Sequence, residues 1–209
     1  MANESIVTIR AMRKDIGPVK KSSAFDPRTG RILIAKRAPT AQLEKTGAGV
    51  IIDSNGLIVT NLHIVTFADK VAVILHDNTV VGAKILRYLS EDDLALLKID
   101  PPYPLKSILL ADSDKVQLGD PVMNIGHSDI LNKTISGGIV NRLGTIDDND
   151  NKKVEYIQVN MNLYKGDSGG PLLTPDGHLI GMIAAKYRSK NRATIAIPSN
   201  KIRELFLSP

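Results

Sequence analysis

Apolar and polar residues alternate along this chain in short bursts, and the bursts are dense in Val and Ile. Such runs, bounded by turn residues, predict β-strands over 5–10, 48–52, 57–61, 71–76, 79–88, 94–99, 121–126, 134–142, 154–160, 171–174, 179–186 and 193–197. The breaks are rich in Asp, Asn and Gly. Ser54-Asn55-Gly56 and Pro175-Asp176-Gly177 read as hairpin turns, because Asn and Gly take positive φ at little cost. Helical periodicity is confined to the end, where Pro198-Ser199-Asn200 offers a cap and Ile202, Leu205 and Phe206 share a face. A short helical turn is also predicted after His63. About a dozen strands and almost no helix predict an all-β protein, a sandwich or a pair of barrels. The stretch 100–120 connects two halves, 1–110 and 111–209, of about six strands each. Residues 11–46 show no regular pattern beyond Arg31-Ile32-Leu33-Ile34 and read as a long loop.

Composition narrows the chemistry. The chain has 209 residues and no cysteine. Disulfides, Cys-ligated zinc, iron–sulfur clusters and a thiol nucleophile are therefore excluded. Tryptophan is absent and aromatics are 4%, so the core must come from Ile, Leu, Val and Ala. No run of 18 apolar residues occurs, so no membrane span is expected. The formal charge of +5 is concentrated: residues 10–45 carry ten basic and three acidic side chains. With Phe25 the only aromatic in that stretch, it reads as a basic loop, and no nucleic-acid partner is expected. The acidic stretch Asp147-Asp148-Asn149-Asp150-Asn151 lacks the spacing of a calcium loop and reads as a solvated turn, so neither metal nor cofactor is expected. Residues 1–9 show neither the basic nor the apolar region of a leader. The compartment is then cytoplasm, or the bacterial cell envelope or periplasm if a leader was removed.

The most informative segment is Gly166-Asp167-Ser168-Gly169-Gly170-Pro171. A serine flanked by glycines can sit on a sharp turn with its hydroxyl exposed. Within Gly166-Asp167-Ser168, the Gly166 and Ser168 amides can converge on one developing oxyanion. A hydroxyl needs a base to become a nucleophile. Four histidines are available: His63 after an apolar strand, His127 after Ile125-Gly126, and His76 and His178 beside turn residues. The base in turn needs a carboxylate to orient it. Of Glu91, Asp92 and Asp93, Asp93 abuts the strand starting at Leu94 and is best placed to be buried.

The order His63, Asp93, Ser168 with Gly-Asp-Ser-Gly-Gly-Pro resembles the chymotrypsin-type serine peptidases, and more closely their HtrA/Deg group. The similarity includes Gly47 to Ile52 with Gly56 to His63, Asp93 to Ile99, Leu118 to Gly126 with Ser136 to Val140, and Ala196 to Asn200. It implies two six-stranded Greek-key β-barrels with a short C-terminal helix, together forming one serine protease domain. It implies a cofactor-free endopeptidase acting on unfolded or damaged polypeptides through a His63–Asp93–Ser168 triad and an acyl-enzyme, with a homotrimer as the candidate assembly. By the same resemblance a specificity pocket has its base at Asn162 and its walls at Ala184, Ala185, Lys186 and Thr194. A neutral Asn162 implies cleavage after small or medium aliphatic residues, and Lys186 is expected to point outward. The loop 144–153 falls at the group's activation loop, and 11–46 at its first regulatory loop. The group usually carries PDZ domains after the protease, which this chain, ending at Pro209, would lack as a trimmed or protease-only member. The alternative from another class is a peptide-binding or chaperone-like module with a latent triad.

Overall fold

The fold is taken from a computed structural model, which describes residues 2–14, 21–26, 31–36, 42–128, 132–147, 153–163, 166–184 and 194–207. Among these residues there are fourteen strands: β1 (Ile6–Lys14), β2 (Lys21–Asp26), β3 (Arg31–Lys36), β4 (Gln42–Asp53), β5 (Leu57–Asn61), β6 (Lys70–Ile74), β7 (Val80–Leu89), β8 (Leu94–Ile99), β9 (Pro121–Ser128), β10 (Asn132–Asp147), β11 (Lys153–Asn160), β12 (Pro171–Leu173), β13 (Leu179–Ile183) and β14 (Thr194–Pro198). Two α-helices accompany them, α1 (Leu62–Val65) and α2 (Ser199–Leu207).

Twelve strands close into two barrels, ordered β1-β4-β5-β8-β7-β6 and β10-β11-β14-β13-β12-β9. Numbered within each barrel, the first strand lies between the second and the fourth, and the third beside the sixth. Both halves therefore repeat one topology, and closure leaves neither barrel an open edge. The all-β, two-barrel expectation with its C-terminal helix matches this architecture.

The apolar runs divide between cores by the two-residue period of a strand. In β8, Ala95, Leu97 and Ile99 fill the first barrel, while Leu94 and Leu96 face a cluster shared with the second. In β13 a register irregularity against β12 breaks that period at Ile180: Ile180 and Ile183 fill the second barrel, while Leu179 and Met182 face the shared cluster. Both faces of these strands are buried, which is why Leu94-Ala95-Leu96-Leu97 is continuously apolar. Ile202 and Leu205 of α2 complete the shared cluster, so the C-terminal helix helps to seal the two barrels together. The Asn200 amide at its start donates to Ser113 Oγ, 3.1 Å away on the connection.

Three expectations need correction. Residues 11–46 are not one loop. β1 runs to Lys14 and β4 starts at Gln42, paired from Ile6↔Val50 out to Lys14↔Gln42, and β2 and β3 form a separate hairpin. The outer part of this ladder carries the exposed Arg10, Arg13, Glu44 and Lys45, so backbone pairing persists where apolar alternation stops. The short helix does not follow His63 but contains it. The stretch 144–153 is strand at both ends, in β10 to Asp147 and in β11 from Lys153; residues 148–152 lie outside the described residues. The hairpin turns stand as read, with Gly56 at φ 96° and Gly177 at φ 86°. Among the described residues no helix is long and apolar enough to cross a membrane.

Candidate active site

His63 and Asp93 come from elements that are neighbours in the first barrel: α1 follows β5, Asp93 precedes β8, and β5 pairs with β8. Their side chains meet, with His63 Nδ1 2.6 Å from Asp93 Oδ2. The other carboxylate oxygen accepts the His63 backbone N–H at 2.8 Å. The Asp93 carbonyl accepts from the Leu62 amide at 2.9 Å and from Asn61 Nδ2 at 3.2 Å. Asp93 sits at φ 53°, in the left-handed region that non-glycine residues seldom occupy. Four hydrogen bonds hold it there, which is how a strained residue persists.

Burial separates the partners. The Asp93 side chain is 3% exposed and that of His63 33%. A carboxylate only accepts, so in the neutral imidazole the proton sits on Nδ1 and Nε2 is left as the acceptor. The arrangement can thus present one imidazole nitrogen as a base while a buried anion stands ready to balance a charged ring.

Ser168 lies on the turn between β11 and β12, docked on the first barrel. Its carbonyl accepts the Ala48 amide of β4 at 2.8 Å. A Cβ on Gly47 would meet both this carbonyl, at 3.0 Å, and the side chain of Ile64, the neighbour of His63. Gly169 follows at φ 81°, and a Cβ there would strike the Ala48 carbonyl and Thr60 Oγ1. Thr60 Oγ1 itself donates to that carbonyl at 2.7 Å. The serine turn therefore packs against β4 and β5 beside α1. Among the described residues no hydrogen bond joins His63 to Ser168.

Gly166 takes φ 106°. Asp167 is buried, with its carboxylate in the space left by the missing side chain of Gly126. That role of Gly126 escaped the sequence reading, because it exists only where two distant segments touch. Asn61, whose amide supports the Asp93 carbonyl, escaped for the same reason.

Three of the five residues of the expected pocket, Asn162, Ala184 and Thr194, fall among the described residues. Ala184 and Thr194 are both buried, on neighbouring strand ends, with the Ala184 amide donating to the Ile195 carbonyl at 2.9 Å. Thr194 Oγ1 donates to the Met161 carbonyl at 3.0 Å, which ties it to the segment leading to Ser168. Asn162 is exposed, and Met161, one residue earlier, is buried. Ala185 and Lys186 lie outside the described residues. His178 contacts Asp176 within its own turn, whereas His127 lies in β9. Among the described residues no group of His, Asp and Glu is set to hold a metal ion.

Comparison with known proteins places the chain among peptidase domains. Residues 47–182 match the trypsin-like peptidase domain family. The chain is 37% identical over 171 residues to the periplasmic pH-dependent serine endoprotease DegQ of Escherichia coli, covering 80% of this chain and 38% of that protein. It is 38% identical over 164 residues to the serine protease HTRA1B of Danio rerio, covering 77% of this chain and 34% of that one. It is also 35% identical over 176 residues to the magnetosome formation protease MamE of Paramagnetospirillum magneticum, covering 80% of this chain and 24% of that protein. The chain thus spans well under half the length of these relatives.

Proposed function

The chain belongs to the trypsin-like peptidase domain family, and from that premise we propose that it is a serine endopeptidase acting on unfolded or damaged polypeptides, in the manner of the HtrA/Deg proteases. The observation that carries the proposal is the two-point grip of the buried Asp93 on His63, through Nδ1 and the backbone N–H. That grip fixes the tautomer a general base requires.

In the proposed reaction His63 Nε2 takes the Ser168 Oγ proton as Oγ attacks the carbonyl carbon of the scissile peptide. The Gly166–Ser168 segment, Asp167 included, forms the oxyanion hole, with the Gly166 and Ser168 amides donating to the tetrahedral oxygen. Collapse breaks the C–N bond, and His63 returns the proton to the departing amine. Water, deprotonated by His63, then attacks the ester, and Ser168 leaves with the proton. No step calls for a metal or cofactor.

The proposed preference is for small or medium aliphatic residues before the cleaved bond. Ala184 and Thr194 offer no carboxylate to pair with Arg or Lys. A homotrimer and a periplasmic or envelope location are part of the same proposal, the location supported by the name of the DegQ relative. The test is labelling with a fluorophosphonate probe, combined with cleavage-site profiling on an unfolded protein. The expected outcome is labelling that vanishes in Ser168→Ala and cleavage mainly after Ala, Val, Ile or Leu. A dominant Arg or Lys preference would refute the specificity. The lack of a His63–Ser168 hydrogen bond among the described residues favours a second reading, a peptide-binding module with a latent triad. Failure to label under any activating condition would establish it.

A further inference from the structure

On the rim of the first barrel, Lys45 Nζ donates to the His63 backbone carbonyl at 2.8 Å. Lys45 pairs across the ladder with Ala11, which is buried, so both side chains leave the same face of the sheet. At this end of the barrel that face opens to solvent, and the lysine stem carries its ammonium over the rim toward α1. Three donors belong to an ammonium and one is used. Among the described residues no carboxylate lies within ion-pair distance of it. Glu44 points from the opposite face and is paired with Arg10 at 3.3 Å, while Asp93 is committed to His63.

A second cation lies on the same rim. Arg13 shares its strand face with Ala11, and its guanidinium stands 5.5 Å from the ring centroid of Phe67. Phe67 lies two residues past α1, is 75% exposed and holds φ 62°. A bulky aromatic in the left-handed region is a genuine outlier, and such strain gathers at working surfaces.

The position of this rim relative to Ser168 follows from β4. Lys45 and Gly47 are two residues apart on one face, about 7 Å along a strand. Gly47 is the residue that closes on the Ser168 carbonyl. In peptide hydrolysis His63 must reach the nitrogen of the leaving group. The substrate beyond the scissile bond therefore passes along the His63 side of the cleft, within one or two extended residues of Lys45.

We propose that Lys45, supported by Arg13, forms a cationic subsite that selects an acidic residue one or two positions after the cleaved bond. This rests on the endopeptidase reading and deepens it. The partner chemistry is a side-chain carboxylate on an extended peptide, held at an exposed site, so the expected selectivity is modest.

The experiment uses fluorogenic peptides that differ only by Glu, Gln or Lys at the first or second position after the bond. The intact chain is expected to cleave the Glu peptide with a kcat/KM about two- to five-fold above the Lys peptide at low salt, as for an exposed ion pair. High salt should shrink this ratio. Lys45→Met should flatten it, Lys45→Glu should invert it, and Arg13→Glu should lower it by a smaller factor. An unchanged ratio in Lys45→Glu, or no ratio in the wild type while the Gln peptide is cleaved and Ser168 labels, overturns the subsite and leaves the peptidase intact. No cleavage together with no labelling overturns both.

Discussion

Among the described residues two histidine–aspartate contacts occur, and they differ in nearly every respect that matters for chemistry. His178 and Asp176 are two residues apart in a hairpin turn, with side chains 40% and 66% exposed. His63 and Asp93 are 30 residues apart, and the carboxylate is 3% exposed. The turn pair arises from local geometry alone. The Asp176 carboxyl is held below its ordinary range chiefly by the Thr174 hydroxyl, then by backbone N–H, and only after these by His178. The barrel pair needs two paired strands, a one-turn helix and a strained backbone to exist. An imidazole beside a carboxylate is therefore a weak sign of function on its own. Burial of the anion, its attachment to the backbone of the same histidine, and a serine turn docked alongside make the difference.

The comparison is broken most sharply by activity. His63→Ala is expected to remove peptide hydrolysis by at least about a thousand-fold, as loss of a general base does. His178→Ala should leave initial rates within about two-fold. The carboxylates should divide the same way: Asp93→Asn lowers kcat by about a thousand-fold or more through loss of the correct tautomer, whereas Asp176→Asn changes little. Equal effects in either pair of variants would end the distinction.

Stability sharpens it next. Gly169 and Gly177 both hold positive φ, at 81° and 86°. A side chain at Gly169 runs into the Ala48 carbonyl, whereas at Gly177 the nearest atom is Ala2 Cβ at 4.0 Å. Gly169→Ala should cost about 2–4 kcal/mol and Gly177→Ala about 1 kcal/mol in denaturant unfolding.

The smallest effect concerns Asp92, the neighbour of Asp93. Burial raises its carboxyl above the ordinary 3.8, helped by Glu204, Glu91 and Glu155 and opposed by Lys201. A raised carboxyl binds its proton more tightly in the folded state, so its contribution is fully present below pH 3.8 and is lost as pH rises through the folded value. Asp92→Asn removes that loss. Because the group is only half-buried, the gain at pH 7 should be a few tenths to about 1 kcal/mol. In thermal melts the gain should disappear at low pH; a gain that grew on acidification would contradict the assignment.

Much of this was readable in advance because it depends on short-range rules. Apolar runs of strand length, Asn-Gly and Asp-Gly turns, and the helix at Ser199 follow from local conformational preference and period. The outer ladder of β1 and β4 did not show, because backbone pairing holds the exposed Arg10, Arg13, Glu44 and Lys45 extended where apolar alternation has faded. That Asn162 is exposed and Met161 buried was not legible, because the distance to Ser168 along the chain says nothing of which side chain turns inward. Gly126 and Asn61 matter only through contacts with Asp167 and Asp93, far away in sequence.

By itself, then, the amino-acid order determined most of the strands, their turns, the absence of thiol chemistry and the three residue types suited to acyl transfer. Which aspartate faces which imidazole was decided only when β5 paired with β8 and Asp93 was forced to φ 53°. How the serine turn lies against Ala48, and how close Lys45 comes to His63, were decided by the closure of one barrel and the docking of the other upon it. The reason is physical: period and propensity act over a few residues, whereas a buried carboxylate or a close backbone contact is selected by packing among segments that the chain itself keeps far apart.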